Sequence, residues 1–368
     1  TGKVRVYTRL TFQVKLTRGK GSFESIATSN SRVFTNNLKK SVINPESLPD
    51  GISGKEMRKS KDGAKNYIIV THEDYYAQVL QLANWKRQLG YSVEIISGSN
   101  WTSEQIKSEI QNRYDFWDPK PDYVLIFGDH TGAGAVPGEI HQDPYYSDNF
   151  ATDLYYLCMD GESDWHPDLA GGRISVSSVA EAQVVVDKII NYEKNPVNVP
   201  GFYENAITCA QYQDDDNNGF ADRRFCHTSE EIFEYLQSDQ KYIAERIYYT
   251  SSTADVTGLR YNNGYYSYGQ LLPSKLRTST FDWRGGSTDI TDAINSGKFL
   301  VFHRDHGYVG GSGWAHPFYT TSSMNSLNNG SLLPVVFSIN CHTGEFQLNN
   351  CFAEKLVRME DKGAIGVV

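Results

Sequence analysis

The chain has 368 residues, with 39% hydrophobic and 21% charged, so it can bury a sizeable core and is not a disordered polymer. Thirty-five Lys and Arg against 44 Asp and Glu give a net charge of −9, which argues against nucleic acid or an anionic membrane as the main partner. No apolar run approaches the roughly 18 residues of a membrane span, and the opening TGKVRVYTRL lacks the apolar stretch of a signal peptide.

In chain order, residues 4–16 alternate apolar and polar as a half-buried strand does, and 19–65 is a Ser-, Asn-, Lys- and Gly-rich stretch without sustained period. Residues 1–65 are therefore expected to be an N-terminal extension of β type followed by a linker. From Asn66 the texture changes. Short apolar runs at 66–71, 92–97 and 121–128 read as buried parallel strands. Helical spacing at 78–90 ends in Gly90, and Thr102-Ser-Glu-Gln105 has the form of a capped helix start, with helix to about Phe116. Residues 153–157 and 169–176 are further expected strands, and 177–194 a long amphipathic helix. After Pro196 and Pro200 the alternation resumes, with strands at 205–210 and 246–250 around a helix at 228–237. An irregular, Tyr- and Gly-rich stretch covers 251–288. The chain then reads helix 290–296, strands 298–302 and 333–339, helix 352–361 and a last strand. The pattern predicts an α/β/α sandwich with mostly parallel sheets and right-handed crossovers, divided into a first subdomain over 66–196 and a second over 197–368. Gly363-Ala-Ile-Gly-Val-Val368 reads as a core strand, so the chain is expected to be an excerpt of a longer protein, C-terminally truncated.

Five cysteines, Cys158, Cys209, Cys226, Cys341 and Cys351, leave at least one outside any set of internal disulfides, and no C-x-x-C pair suggests a zinc knuckle. Two segments carry the chemistry. Phe299-Leu-Val-Phe-His303-Arg-Asp-His306-Gly307 and Pro334-Val-Val-Phe-Ser-Ile-Asn340-Cys341-His342 each run from an apolar strand straight into a reactive side chain. Sites in open α/β sheets form at the carboxyl ends of strands. Two neighbouring strands ending in His and Cys would bring an imidazole to a thiol, which is what a thiolate nucleophile needs. Gly307 allows close backbone approach, so its N–H can help bind an oxyanion. A cysteine at a strand end is more often a small core residue, and a histidine before glycine more often a turn residue. It is the two halves together that favour chemistry.

The segments His306-Gly307…Gly313-Trp314-Ala and Asn340-Cys341-x-x-Gly344-x-Phe346…Cys351-Phe-Ala-Glu354 resemble the catalytic half of the gingipain-type cysteine peptidases. So do Ala83-Asn-Trp85-Lys…Gly90, Tyr123-Val-Leu…Gly128-Asp129-His130, Gly172-Arg173 and Tyr192-Glu193, in the family's order from about Tyr67 onward. The resemblance implies a caspase-like fold of two side-by-side subdomains, with Cys341 as nucleophile, His306 as base, and the amides of Gly307 and His342 as oxyanion hole. It implies an endopeptidase acting on protein or peptide substrates, secreted or on the bacterial surface, often through the type IX system with its secretion partners, and stabilised by calcium. Relatives acting as sortase-like transpeptidases, and an inactive calcium-stabilised surface or adhesin module, are the alternatives.

Several positions depart from the family. His303 competes for the base role but faces the other way along a strand, and lacks the following Gly. Two extra residues lie between His306 and Trp314. The family orients its histidine with an acidic residue, where this chain has Gln213 followed by Asp214. Either Asp214 serves, or the pair works with an amide orienter. Asp214-Asp-Asp216-Asn-Asn218-Gly219-Phe-Ala-Asp222 matches the opening of a calcium loop, with Asp214, Asp216, Asn218 and Asp222 as ligands and no acid at its twelfth position. Asp160-Gly-Glu162-Ser-Asp164…Asp168 is a second acidic cluster, read more readily as an exposed turn. Asp222 is also the candidate carboxylate for a pocket preferring Arg or Lys, with Trp314 over the aliphatic stem, and it cannot easily serve both roles.

Overall fold

A computed structural model describes residues 65–143, 148–264, 269–348 and 350–368. The extension expected over 1–65 lies almost wholly outside them. So does the centre of the Tyr-rich insert.

The first sheet contains β1 (Lys65–His72), β2 (Tyr91–Gly98), β3 (Tyr123–Phe127) and β6 (Ala170–Ile174), all parallel in the order β2-β1-β3-β6. Its centre is buried on both faces. In β1, Ile68, Ile69 and Val70 are all fully buried. The period of two sends Ile69 towards α1 (Tyr76–Gln88) and α3 (Val179–Lys194), and Ile68 and Val70 towards α2 (Ser103–Phe116). Val79, Leu82, Val185 and Val186 pack on one face and Ile106, Ile110 and Tyr114 on the other. The capping box expected at Thr102 is present, Thr102 and Gln105 each bonding the other's backbone N–H. Gly90 takes φ +90° just past α1, the left-handed turn that a side chain disfavours. Trp85 and Lys86 of α1 both reach Glu193 of α3, at 2.7 and 2.5 Å.

The second sheet contains β7 (Asn205–Gln211), β8 (Ile243–Tyr249), β9 (Leu300–Arg304), β12 (Val335–Ile339) and β13 (Gly366–Val367), again all parallel, in the order β13-β12-β9-β7-β8. α5 (Ser287–Asn295) and α6 (Phe352–Arg358) cover one face through Ile290, Ile294, Phe352 and Leu356. α4 (Phe225–Ser238) covers the other through Phe233 and Leu236. After β7 the chain adds β8 on one side and later returns to β9 on the other. The strand order therefore reverses between β7 and β9, where α/β sheets place their sites. Two hairpins sit outside the sheets: β4 (Glu139–Gln142) with β5 (Asn149–Thr152), and β10 (Gly307–Tyr308) with β11 (Gly313–Trp314). The architecture is the expected caspase-like α/β/α sandwich.

Local differences from the sequence reading have physical causes. Where a strand was expected over 153–157, Leu154–Tyr156 form a 3-10 turn. Tyr156 is fully buried with its hydroxyl on the Pro137 carbonyl (2.5 Å), and Asp153 is held by Arg173. α4 begins at Phe225, earlier than expected, and that ring packs edge-on against His306.

The two halves are joined by buried charge. Arg358 of α6 donates to Asp129 Oδ2 (2.8 Å), to the Ser175 carbonyl (2.6 Å) and to Glu354 Oε1 (3.1 Å). Asp129 and Ser175 lie just beyond the ends of β3 and β6, and all three charged side chains are under 10% exposed. Burial raises the Glu354 carboxyl above its ordinary range, and hydrogen bonds and Arg358 oppose that rise. Lys188 of α3 adds bonds to the carbonyls of Val357 (2.8 Å) and Lys362 (2.9 Å). Removing one member of such a network leaves buried charge unpaired. Arg358→Met is expected to cost about 3–5 kcal/mol of stability, measured by denaturant unfolding, whereas Arg87→Met on exposed α1 surface should change little.

Candidate active site

β9 and β12 run in register, with Ser338 opposite His303 and Ile339 opposite Arg304. Two residues beyond Arg304 and Ile339, the chains have left the sheet and carry His306 and Cys341 at one rim. The two loops touch directly. A Cβ on Gly307 would lie 2.1 Å from the Cys341 carbonyl oxygen and 2.7 Å from Asn340 Oδ1, so only glycine fits.

Cys341 is exposed, while Cys158, Cys209, Cys226 and Cys351 are buried, and all five are free. Burial pushes the Cys158 thiol up to about 11 and Cys351 to about 12, and raises Cys209 and Cys226 further. Those four thiols stay protonated and unreactive at neutral pH. His342, just after Cys341, has φ +63°, uncommon for a residue with a side chain. It is held there by the contact of its ring with Glu345. Its backbone N–H makes no hydrogen bond within the described residues and is available to a ligand.

His306 is half-buried. Its Nε2 lies 3.1 Å from Gln213 Oε1, and no hydrogen bond joins it to Cys341. Gln213 Nε2 donates to Asp215 Oδ2 at 2.8 Å, which turns the amide oxygen towards the imidazole. Nε2 therefore carries the proton and Nδ1 the lone pair. Burial lowers the His306 pKa, Arg223 and Arg304 lower it further, and Asp215 opposes them. Gln213, rather than Asp214, makes the orienting contact. Asp214 is buried in its own loop, accepting from the N–H groups of Asn218 and Gly219 (both 3.0 Å) and from Ser252 Oγ (2.5 Å).

His303 points into the core. It stacks on Trp314 at 4.2 Å, donates from Nε2 to the His316 carbonyl (3.2 Å) and accepts at Nδ1 from Asn340 Nδ2 (2.9 Å). Burial drives its pKa down to about 3, so it stays neutral. Asn340 is fixed further by Ser338 Oγ (2.9 Å) and Thr343 Oγ1 (2.7 Å), and Ser338 Oγ accepts from Trp314 Nε1 (2.7 Å). This network underlies the Cys341 turn. Trp314 is 1% exposed and is part of it, so it does not offer the surface expected over a substrate's aliphatic stem. Ahead of Trp314, Tyr308 and Val309 are exposed, beside Phe318, on an open groove of about 840 Å³.

The expected ligand loop is organised by its own amides. Asp216 Oδ1 and Oδ2 accept from Asn218, Asn218 Oδ1 accepts from Phe220 N–H (2.7 Å), and Asp222 Oδ2 accepts from Asp215 N–H (2.7 Å). Asp222 thus turns back into the loop. Among the described residues, the acidic oxygens that converge within 4.8 Å are those of Asp160, Asp164 and Asp168.

Phe346 entered the sequence analysis only as part of the Cys341 motif, which gave no sign that its ring packs against Arg173, His130 and Gly138 of the first half. The Arg173 guanidinium lies 4.5 Å from its centroid, His130 is 6.1 Å away edge-on, and a Cβ on Gly138 would strike it. Arg173 is itself locked by Asp153 and by the carbonyls of Gly128 and Val136 (both 2.7 Å). The Gly128-Asp129-His130 and Gly172-Arg173 motifs therefore build a platform. Only their joint presence in the sequence hinted at it.

The family model for Peptidase family C25 matches residues 60–368. The chain belongs to peptidase family C25, the gingipain family of cysteine peptidases. It is 22% identical over 99% of its length to Gingipain R1 of Porphyromonas gingivalis, and 23% identical over 82% to Lys-gingipain W83 of the same organism. It spans about a third of the first (32%) and 15% of the second. The crystal structure of the Arg-specific cysteine proteinase gingipain R superposes with a TM-score of 0.63 at 22% identity, over 84% of this chain and 62% of that one. At that identity the superposition speaks for the fold. No described helix of this C25 chain is long and apolar enough to cross a membrane.

The contrast among the five thiols has a direct readout. Brief treatment of the native protein with iodoacetamide is expected to alkylate Cys341 first, with the other four reacting only on unfolding, as peptide mass mapping would reveal.

Proposed function

We propose that this chain is the catalytic unit of a cysteine endopeptidase, secreted or surface-displayed, in which His306 and Cys341 form the reacting couple. The observation that carries the reading is the β9–β12 register, which brings the only exposed cysteine and a half-buried imidazole out of the sheet side by side. His306 Nδ1 takes the thiol proton. The Cys341 sulfur attacks the peptide carbonyl, and the oxyanion forms against the N–H groups of His342 and Gly307. The protonated imidazole passes its proton to the leaving amine. Water, activated by the same nitrogen, then cleaves the thioester. Phe225, edge-on to the imidazole at 4.9 Å, and Gln213 fix the ring through these transfers. Cleavage after Arg or Lys would need a carboxylate at the base of the pocket. Asp222 is engaged with the Asp215 amide, and this removes the reason for assigning it that task.

Cys341→Ala and His306→Ala are each expected to lower hydrolysis of a peptide substrate by at least about 10³-fold with an unchanged melting temperature. Comparable activity in either variant would sink the couple. Added amine nucleophile, with product analysis, separates hydrolysis from transpeptidation.

The neutral imidazole is the active form, and the surroundings depress its pKa, so the acid limb of the rate profile should lie below the ordinary histidine value. Gln213→Glu places a carboxylate on Nε2, favours the imidazolium and should move that limb to higher pH. A limb that stays in place would remove Gln213 as the orienting partner.

Calcium is retained in this reading as a stabilising ion, at Asp160, Asp164 and Asp168, where hard oxygens converge. Chelator should lower the melting temperature of the parent and leave Asp164→Ala unaffected. An unchanged parent curve would take calcium out.

A further inference from the structure

The charge around the site is unbalanced. Arg304 is half-buried at the end of β9, with its guanidinium 4.8 Å from the Phe225 ring centroid and one donor on the Ile339 carbonyl (3.2 Å). It is close enough to Cys341 and His306 for its charge to act on both. Among the described residues it has no carboxylate partner within ion-pair distance. Arg223, exposed before α4, also acts on His306, and its side chain donates to the Asp222 carbonyl (3.2 Å) rather than to a carboxylate. Arg224 lies near enough to add to the positive field at Arg304.

The neighbouring carboxylates are otherwise engaged. Asp215 holds Gln213, Asp222 caps the Asp215 amide, and Glu345 meets His342. Asp305 is 1% exposed and turned inward, accepting the His316 N–H at 2.7 Å. A guanidinium partly removed from water and lacking a counter-charge calls for an anion, and its planar fork suits a carboxylate.

Resting on the peptidase reading above, we infer that the site selects peptides with an Asp or Glu side chain flanking the scissile bond, bound by Arg304 and assisted by Arg223. The Phe225 ring supports the guanidinium plane from one side. The substrate carboxylate then fills the fork from the open side, next to the thiol. The chemistry of the Cys–His couple is unchanged. Only the choice of peptide is set by the arginines.

Internally quenched peptides carrying Glu, Gln or Lys at each of the two positions flanking the cleaved bond test this. Glu is expected to be cut about 10- to 100-fold faster than Gln in at least one position, and Lys more slowly than either. The Glu-to-Gln ratio should fall with added salt and approach one in Arg304→Met. Arg223→Gln, on the surface, should lower the ratio without loss of folding and supports the inference even if the buried variant is unstable. Cleavage in which Gln equals Glu, or Lys leads, overturns the inference and leaves the peptidase reading standing. If every peptide stays intact and a thiol-reactive peptidyl probe fails to label Cys341, the peptidase reading falls and the inference with it.

Discussion

One buried cation ties the two halves together behind the site. Arg358 joins α6 of the second sheet to Asp129 and Ser175 at the strand ends of the first, and Glu354 completes its coordination from one helical turn away. Burying a guanidinium is costly unless its donors are met, and here backbone and carboxylate oxygens from both halves meet them. Two sheets that could otherwise slide past one another are held in one relation. Glu354 also accepts the Cys351 N–H at 2.9 Å and starts α6, so the same network fixes the far end of the loop that begins at Cys341.

The near end of that loop is fixed by neutral groups. His303, Asn340, Ser338, Thr343 and Trp314 satisfy one another beneath the Cys341 turn, and a histidine kept neutral by burial is the keystone of the set. Neutrality matters here, because Nδ1 accepts from Asn340 and a proton on it would set two donors against each other. The rim above carries the opposite character. His306 is exposed enough to exchange protons, and its amide partner Gln213 supplies orientation without the charge of a carboxylate. The local field is therefore left to the arginines. A site built this way couples an uncharged floor to a cationic edge.

The role of loop 214–222 illustrates how a motif changes meaning on folding. Its side-chain oxygens suit a hard cation and equally suit the N–H groups of a tight turn, and in this structure Asp214, Asp216 and Asp222 accept such N–H groups. What the loop contributes to the site is Gln213 at its base, whose carbonyl accepts the Asp222 N–H at 2.8 Å and whose amide reaches His306. Composition alone cannot distinguish a carboxylate turned outward from one turned in.

Periodicity in the sequence sufficed for the sheets. The runs around Ile69, Ile126, Ile207 and Val336 are short, continuously apolar and bounded by turn residues, so burial on both faces was legible before any packing was known. Thr102 and Gln105 announced a helix start because capping is a local interaction. That Cys341 and His306 leave the sheet at one edge was legible too, since each closely follows its strand. Hidden were the contacts between segments distant in sequence: Gln213 on His306 across 93 residues, Arg358 on Asp129 across 229, and the inward turn of Trp314 onto His303. The strand 153–157 failed for the same reason, because its Tyr156 was claimed by the core. Local backbone preference is written in neighbouring residues. The direction of a polar side chain is decided only when tertiary packing sets which donors, acceptors and charges surround it.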